Sequence, residues 1–135
     1  MGSPCEHDAR ALSFGSYAQV CKDKALRPHL HYDPSYEAVG TRDSSRNMFV
    51  YDNEEGLCRK LCSLKFQNKA NRALRFGVAV YDLDYEDDRN ACTDLNKFGA
   101  FSRLKMVRRV VDYYGSLPAD GSDCVDAVPC VLRAG

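Results

Sequence analysis

Seven cysteines in a chain of 135 residues constrain this fold more than any other feature. They stand at Cys5, Cys21, Cys58, Cys62, Cys92, Cys124 and Cys130. None forms a CxxC knuckle, and His7, His29 and His31 are not at zinc-finger spacing. A secreted chain stapled by disulfides is therefore expected. The odd count leaves one thiol either free or paired between chains. The sequence has no N-x-S/T sequon, so glycosylation adds nothing to the secreted reading. No signal peptide is visible, and residues 1–3 read as a start added to a mature chain. The length suits one domain, residues 4–135, with 116–135 as a cysteine-containing tail.

Charge and hydropathy exclude several classes. The chain carries 19 basic and 19 acidic side chains, so attraction to nucleic acid or to an anionic membrane is not expected. No apolar run reaches the roughly 18 residues of a membrane span. Hydrophobic residues make up 44 %, enough that disorder is not expected.

Along the chain, "ALSFGSYAQVCKDK" fits either a short helix or a turn and strand. "HLHYD" reads as a short strand stopped at Pro34. "YEAVGTRDSSRNMFVYD" reads as a hairpin, with strands over 37–41 and 48–51. Asp52 or Asn53 can then cap a helix with Glu54 and Glu55 in its first turn. Leu57, Leu61 and Leu64 give that helix an apolar face, with Cys58 and Cys62 beside it. "LRFGVAVYDLD" is apolar on successive residues, as a strand covered on both faces would be. "FGAFSRLKMVRRVVDYYG" predicts an amphipathic helix with Leu104, Val107, Val110, Val111 and Tyr114 inside and Gly115 as its stop. The expected fold is α/β: a small mixed sheet with a βαβα core, two of its strands parallel through a right-handed crossover.

The order of these segments resembles the last third of glycoside hydrolase family 18, the chitinases and chitinase-like lectins. "LSFGSYAQVC" is similar to the end of that family's inserted subdomain, and "HLHYDPSYEAVGTRDSSRNMFVYDNEE" to its closing strands and barrel strand seven. "FGVAVYDLDYEDDRNAC" resembles barrel strand eight, and "FGAFSRLKMVRRVV" the terminal helix. The match covers about residues 11–115. Each motif alone is moderate; their order and spacing together are fairly specific. The resemblance implies a core like the last strands and helices of a TIM-type barrel, and a disulfide between Cys21 and Cys92. It gives no guide to the other cysteines, although a pair tying the tail to the helix of Cys58 and Cys62 is plausible. The family's catalytic Asp-x-x-Asp-x-Asp-x-Glu run lies on strand four, for which this chain has no room. Asp82, Asp84 and Glu86 fit the last three acids of that spacing, but Ala79 stands where the first should be. Tyr81 replaces the strand-eight Trp of sugar-binding members, and the chain has no Trp.

These readings point to a non-catalytic protein. Asp82, Asp84, Glu86, Asp87 and Asp88 could bind calcium, but no Gly stands where an EF-hand loop needs one, and a solvated strand end is the simpler account. His29 and His31 fit surface or packing positions better than ligand positions. Arg103, Lys105, Arg108 and Arg109 fit a solvated helix face, and the many tyrosines suit core edges or a protein interface. The candidate binding surface is Tyr81, Asp84, Glu86, Arg42 and Arg46, and loops 41–47 and 86–98 are the candidate binding loops. No catalytic residue, metal or cofactor is expected. The resemblance to short secreted chitinase-like chains of arthropods, especially blood-feeding ticks, implies a salivary inhibitor or modulator of a host or extracellular protein. A truncated barrel also leaves surfaces that a homodimer could cover. The alternatives are a lectin-like module for chitin or related glycans, and a fragment of a larger glycosidase-like chain.

Overall fold

The computed structural model of the protein describes residues 16–42, 48–67, 77–116, 124–128 and 130. It is a small mixed α/β structure in which a three-stranded antiparallel sheet precedes two long helices. Helix α1 (Tyr17–Lys22) starts where the Ser16 amide donates to Gln19 Oε1 at 2.9 Å, and it buries Tyr17, Val20 and Cys21. A 3-10 turn, Arg27–His29 with Pro28 in its first positions, leads into the sheet. Strands β1 (His31–Asp33), β2 (Ala38–Arg42) and β3 (Met48–Tyr51) pair in order, with Tyr32 opposite Val39 and Val39 opposite Tyr51. The period of two puts Val39 and Thr41 on the buried face and leaves Met48 and Val50 exposed on the other. The Thr41 hydroxyl donates to the Leu26 carbonyl at 2.6 Å, which ties the sheet to the turn before it.

Helix α2 (Glu54–Gln67) follows β3 at once. Asn53 caps it: its Oδ1 accepts from the Gly56 amide at 2.9 Å, and its carbonyl accepts from Leu57 at 3.0 Å. Helix α3 (Ser102–Ser116) packs on α2, and the short α4 (Cys124–Ala127) packs on α2 as well. Gly56 is where the first turn of α2 meets the β1–β2 connection. A Cβ there would stand 2.0 Å from the backbone oxygen of Glu37, itself at a φ of 50°. Backbone cannot yield as a flexible side chain can, so Gly56→Ala should destabilise by about 2–3 kcal/mol. Chemical denaturation of the purified variant reads this directly.

The core has two parts, each centred on disulfides. Cys58, Cys62, Met106, Val110, Cys124, Val128 and Cys130 form one cluster, so four of its seven buried members are cysteines. The bridges are Cys58–Cys130 and Cys62–Cys124, one helical turn apart on α2. Tyr17, Cys21 and Cys92 form the other cluster around the Cys21–Cys92 bridge, with Tyr51 and Leu95 against it. Six cysteines are thus paired, and Cys5 lies outside the described residues.

Several expectations need correction. The sheet is not mixed and contains no parallel pair among the described residues. Residues 77–82 form no strand and are all exposed. Their side chains suit a strand, but a strand also needs a hydrogen-bonding neighbour, and the described sheet ends at β3. On α3, Val111 faces solvent at 43 % exposure while Met106 is buried at 1 %. The helix turns toward α2, which brings Met106, Val107 and Val110 inward and rolls Val111 away. Leu64 is likewise exposed, and the cysteines rather than the leucines hold the centre of the α2 face. Within the tail, residues 124–127 are helical.

Candidate functional site

Two features stand out among the described residues. The first begins at the exposed run. Val78, Val80, Tyr81 and Leu83 all lie open to solvent, with Tyr81 82 % exposed. Asp82 follows at a φ of 56°, a left-handed conformation that Asp tolerates better than most residues. A 3-10 turn, Leu83–Tyr85, then carries the chain inward. Asp84 stays at the surface beside Tyr81 in sequence.

Glu86 does not share that surface. It is 7 % exposed, its Oε1 accepts from the Arg103 amide at 3.1 Å, and its carboxylate pairs with the Arg103 guanidinium. Asp87 is 1 % exposed and organises the next loop. Its Oδ1 accepts from the Ala91 amide at 2.7 Å; its Oδ2 accepts from the Cys92 amide at 2.7 Å and the Asn96 side-chain amide at 2.8 Å. Burial pushes the Asp87 carboxyl up, but the amides of Ala91 and Cys92, the Asn96 side chain and the Arg89 backbone outweigh it, and the net shift is downward. The acidic motif therefore divides by role. Asp82 and Asp84 remain outside, while Glu86 and Asp87 become the anchor that ties the chain after the exposed run to α3 and to the loop of Cys92. Arg42 ends β2, exposed, and no hydrogen bond or ion pair among the described residues joins it to Tyr81 or Asp84. Arg46 lies outside the described residues.

The second feature is a cleft of about 190 Å³. Tyr17, Tyr32, Tyr51, Leu30, Val39 and Leu95 wall it, with Asn53, Glu54 and Lys97 as its other polar side chains. The Tyr17 and Tyr51 rings stand 4.8 Å apart between centroids, tilted by 56°. The Arg103 guanidinium lies 4.6 Å from the Tyr17 ring centre and 5.9 Å from that of Tyr51. Burial, then the neighbouring Tyr51 and Glu54, push the Tyr17 hydroxyl well above its ordinary pKa, so it is neutral at physiological pH. Glu54 is 1 % exposed, and its Oε1 accepts from the Lys97 amide at 3.2 Å and from the Ser102 hydroxyl. The Tyr32 hydroxyl is buried and has no hydrogen-bond partner among the described residues.

Sequence reading missed this cleft. Its members come from α1, β1, β2, β3, α2 and the loop before α3, and no spacing links them. The only signal was the acid in the first turn of α2, which also fits a simple helix-dipole role. Sulfur atoms of Cys58, Cys62 and Cys130 come within 4.8 Å of one another, as do donor atoms of Cys21, Asp87 and Cys92. Their cysteines are all in disulfides, and Asp82, Asp84 and Glu86 belong to neither group. His29 and His31 are exposed, at the end of the 3-10 turn and the start of β1. No family model matches the chain, and no curated protein or solved structure matches it either.

Proposed function

We propose that this chain is a secreted, non-catalytic binding protein, related to the last third of family 18 glycoside hydrolases, that docks onto an extracellular or host protein. The observation that carries the reading is the exposed run Val78, Val80, Tyr81 and Leu83 on a buried polar anchor. An exposed apolar patch with a protruding Tyr is the kind of surface that can supply a binding hot spot. Three disulfides are compatible with an extracellular protein, and no helix among the described residues is long and apolar enough to cross a membrane. The relation to the glycosidase family rests on the motifs quoted above; the Cys21–Cys92 bridge is the pairing that the resemblance implies. The non-catalytic reading is supported by the division of the acids: Glu86 is engaged by Arg103, and none of Asp82, Asp84 and Glu86 lines the tyrosine cleft.

A glycan array run beside affinity capture from animal plasma tests this. A captured protein with no glycan signal is the expected result, and Tyr81→Ala should weaken that capture at least about tenfold while leaving the fold intact. Glycan binding without protein capture would favour the lectin-like alternative. A homodimer through Cys5 is part of the same proposal, and mass under non-reducing conditions reads it.

A further inference from the structure

The tyrosine cleft carries an inference independent of the docking surface. Most acids near it already have a cation: Asp52 has Lys60, Glu55 has Arg59 and Glu86 has Arg103. Glu54 is different. It is almost fully buried, its two hydrogen-bond donors are neutral groups, and no ion pair among the described residues reaches it. A desolvated carboxylate without a direct ion-pair partner favours a cationic one. The surrounding phenol rings favour one too, because their faces attract positive charge. Arg103 already uses the Tyr17 and Tyr51 rings in this way, but its own ion pair is with Glu86.

Lys97 decides what kind of cation fits. Its side chain is exposed where the cleft opens, and no ion pair or side-chain hydrogen bond among the described residues occupies it. A simple amine entering the cleft would meet that ammonium as a repulsion. A ligand that also carries a carboxylate converts the repulsion into a second attraction. The apolar wall at Leu95 can take a short aliphatic chain. A cavity of roughly 150 Å³ accepts benzene, so about 190 Å³ admits a body a few heavy atoms larger.

We propose that this cleft binds a small zwitterion of amino-acid size, its ammonium group held by Glu54 and its carboxylate by Lys97. Isothermal titration of the full chain with leucine and with 5-aminopentanoate, a compact and an extended zwitterion, tests this. Each is compared with the amine and the acid that share its carbon skeleton. At least one zwitterion should bind, and its two half-ligands should bind about tenfold more weakly or worse. Lys97→Met changes an exposed side chain and should fold normally. It should weaken the zwitterion about tenfold, to the level of the matching amine. The proposal is overturned if neither zwitterion binds at about 10 mM. It is equally overturned if the amine binds as tightly as its zwitterion, or if Lys97→Met binds unchanged.

Discussion

The double variant Cys21→Ala/Cys92→Ala should unfold about 4 kcal/mol more easily than the parent chain. The bridge joins positions 71 residues apart, and closing a ring of that size removes roughly this much free energy from the unfolded ensemble in the loop-entropy picture. Packing points the same way. Tyr17, Cys21 and Cys92 make up the whole buried part of their cluster, so replacing two of the three empties it. For a chain of this length the melting temperature should fall by roughly 10–20 °C. The effect should extend to function, because Cys92 closes the loop that Asp87 organises, a few residues after the exposed run. Thermal and urea unfolding of parent and variant, both with the other two bridges intact, measure it. A shift of only about 2–3 °C would mean that the α1 segment is held mainly by other contacts.

Asp87→Ala should cost about 3–5 kcal/mol. Two buried donors, the Cys92 amide and the Asn96 side chain, and the part-buried Ala91 amide lose their acceptor together, and each orphaned group costs on the order of 1–3 kcal/mol. Asp87→Asn is the informative companion. It keeps the shape but replaces one accepting oxygen with a donor facing donors. The same carboxylate gives acid stability a defined sign. Its folded-state pKa lies below its ordinary value near about 4, because the converging hydrogen bonds outweigh burial. Its stabilisation is therefore fully present above about pH 4 and is lost as pH falls through the folded-state value. The stability gap between parent and Asp87→Asn should be flat from about pH 7 to 5 and should shrink below about pH 4. Urea midpoints across that range test it. A gap that stayed constant down to about pH 2 would mean that the ionised carboxylate is not what holds the loop.

The sequence made the regular elements readable where local pattern and tertiary role agree. The "AVGTR" and "MFVY" strands alternate and pair as a hairpin. Asn53 caps α2 with acids in the first turn, and the apolar stripe of α3 turns inward at Val107 and Val110. Residues 77–82 were misread because strand propensity is a property of the side chains, whereas a strand is a property of a pair. Val111 is read as inward and Met106 left off the apolar face because a helical stripe fixes a face only approximately until its partner helix is known. The order of the two tail disulfides was open because Cys58 and Cys62 share one face and either could meet either tail cysteine.

The site was legible only in part. Tyr81 and Asp84 lie at the surface, as a binding patch requires, but Glu86 is inside. Nothing in "YDLDYEDD" distinguishes an acid that stays in water from one that turns in. The distinction comes from backbone reversals at Asp82, Asn90, Gly99 and Phe101, all at positive φ, within a stretch whose amides and Asn96 converge on Asp87. Glu54 and the three tyrosines of the cleft converge only after the sheet, α1 and α2 have packed.

The docking account is tested most directly by photo-crosslinking from the exposed run itself. Benzoylphenylalanine is placed at position 81 in one sample and at position 36 in another; the tyrosines there are 82 % and 64 % exposed. Each protein is incubated in animal plasma, irradiated, and its adducts identified by mass spectrometry. The account predicts a protein adduct from position 81 that position 36 does not yield. Equal adducts from both positions, or adducts from position 36 alone, would contradict it.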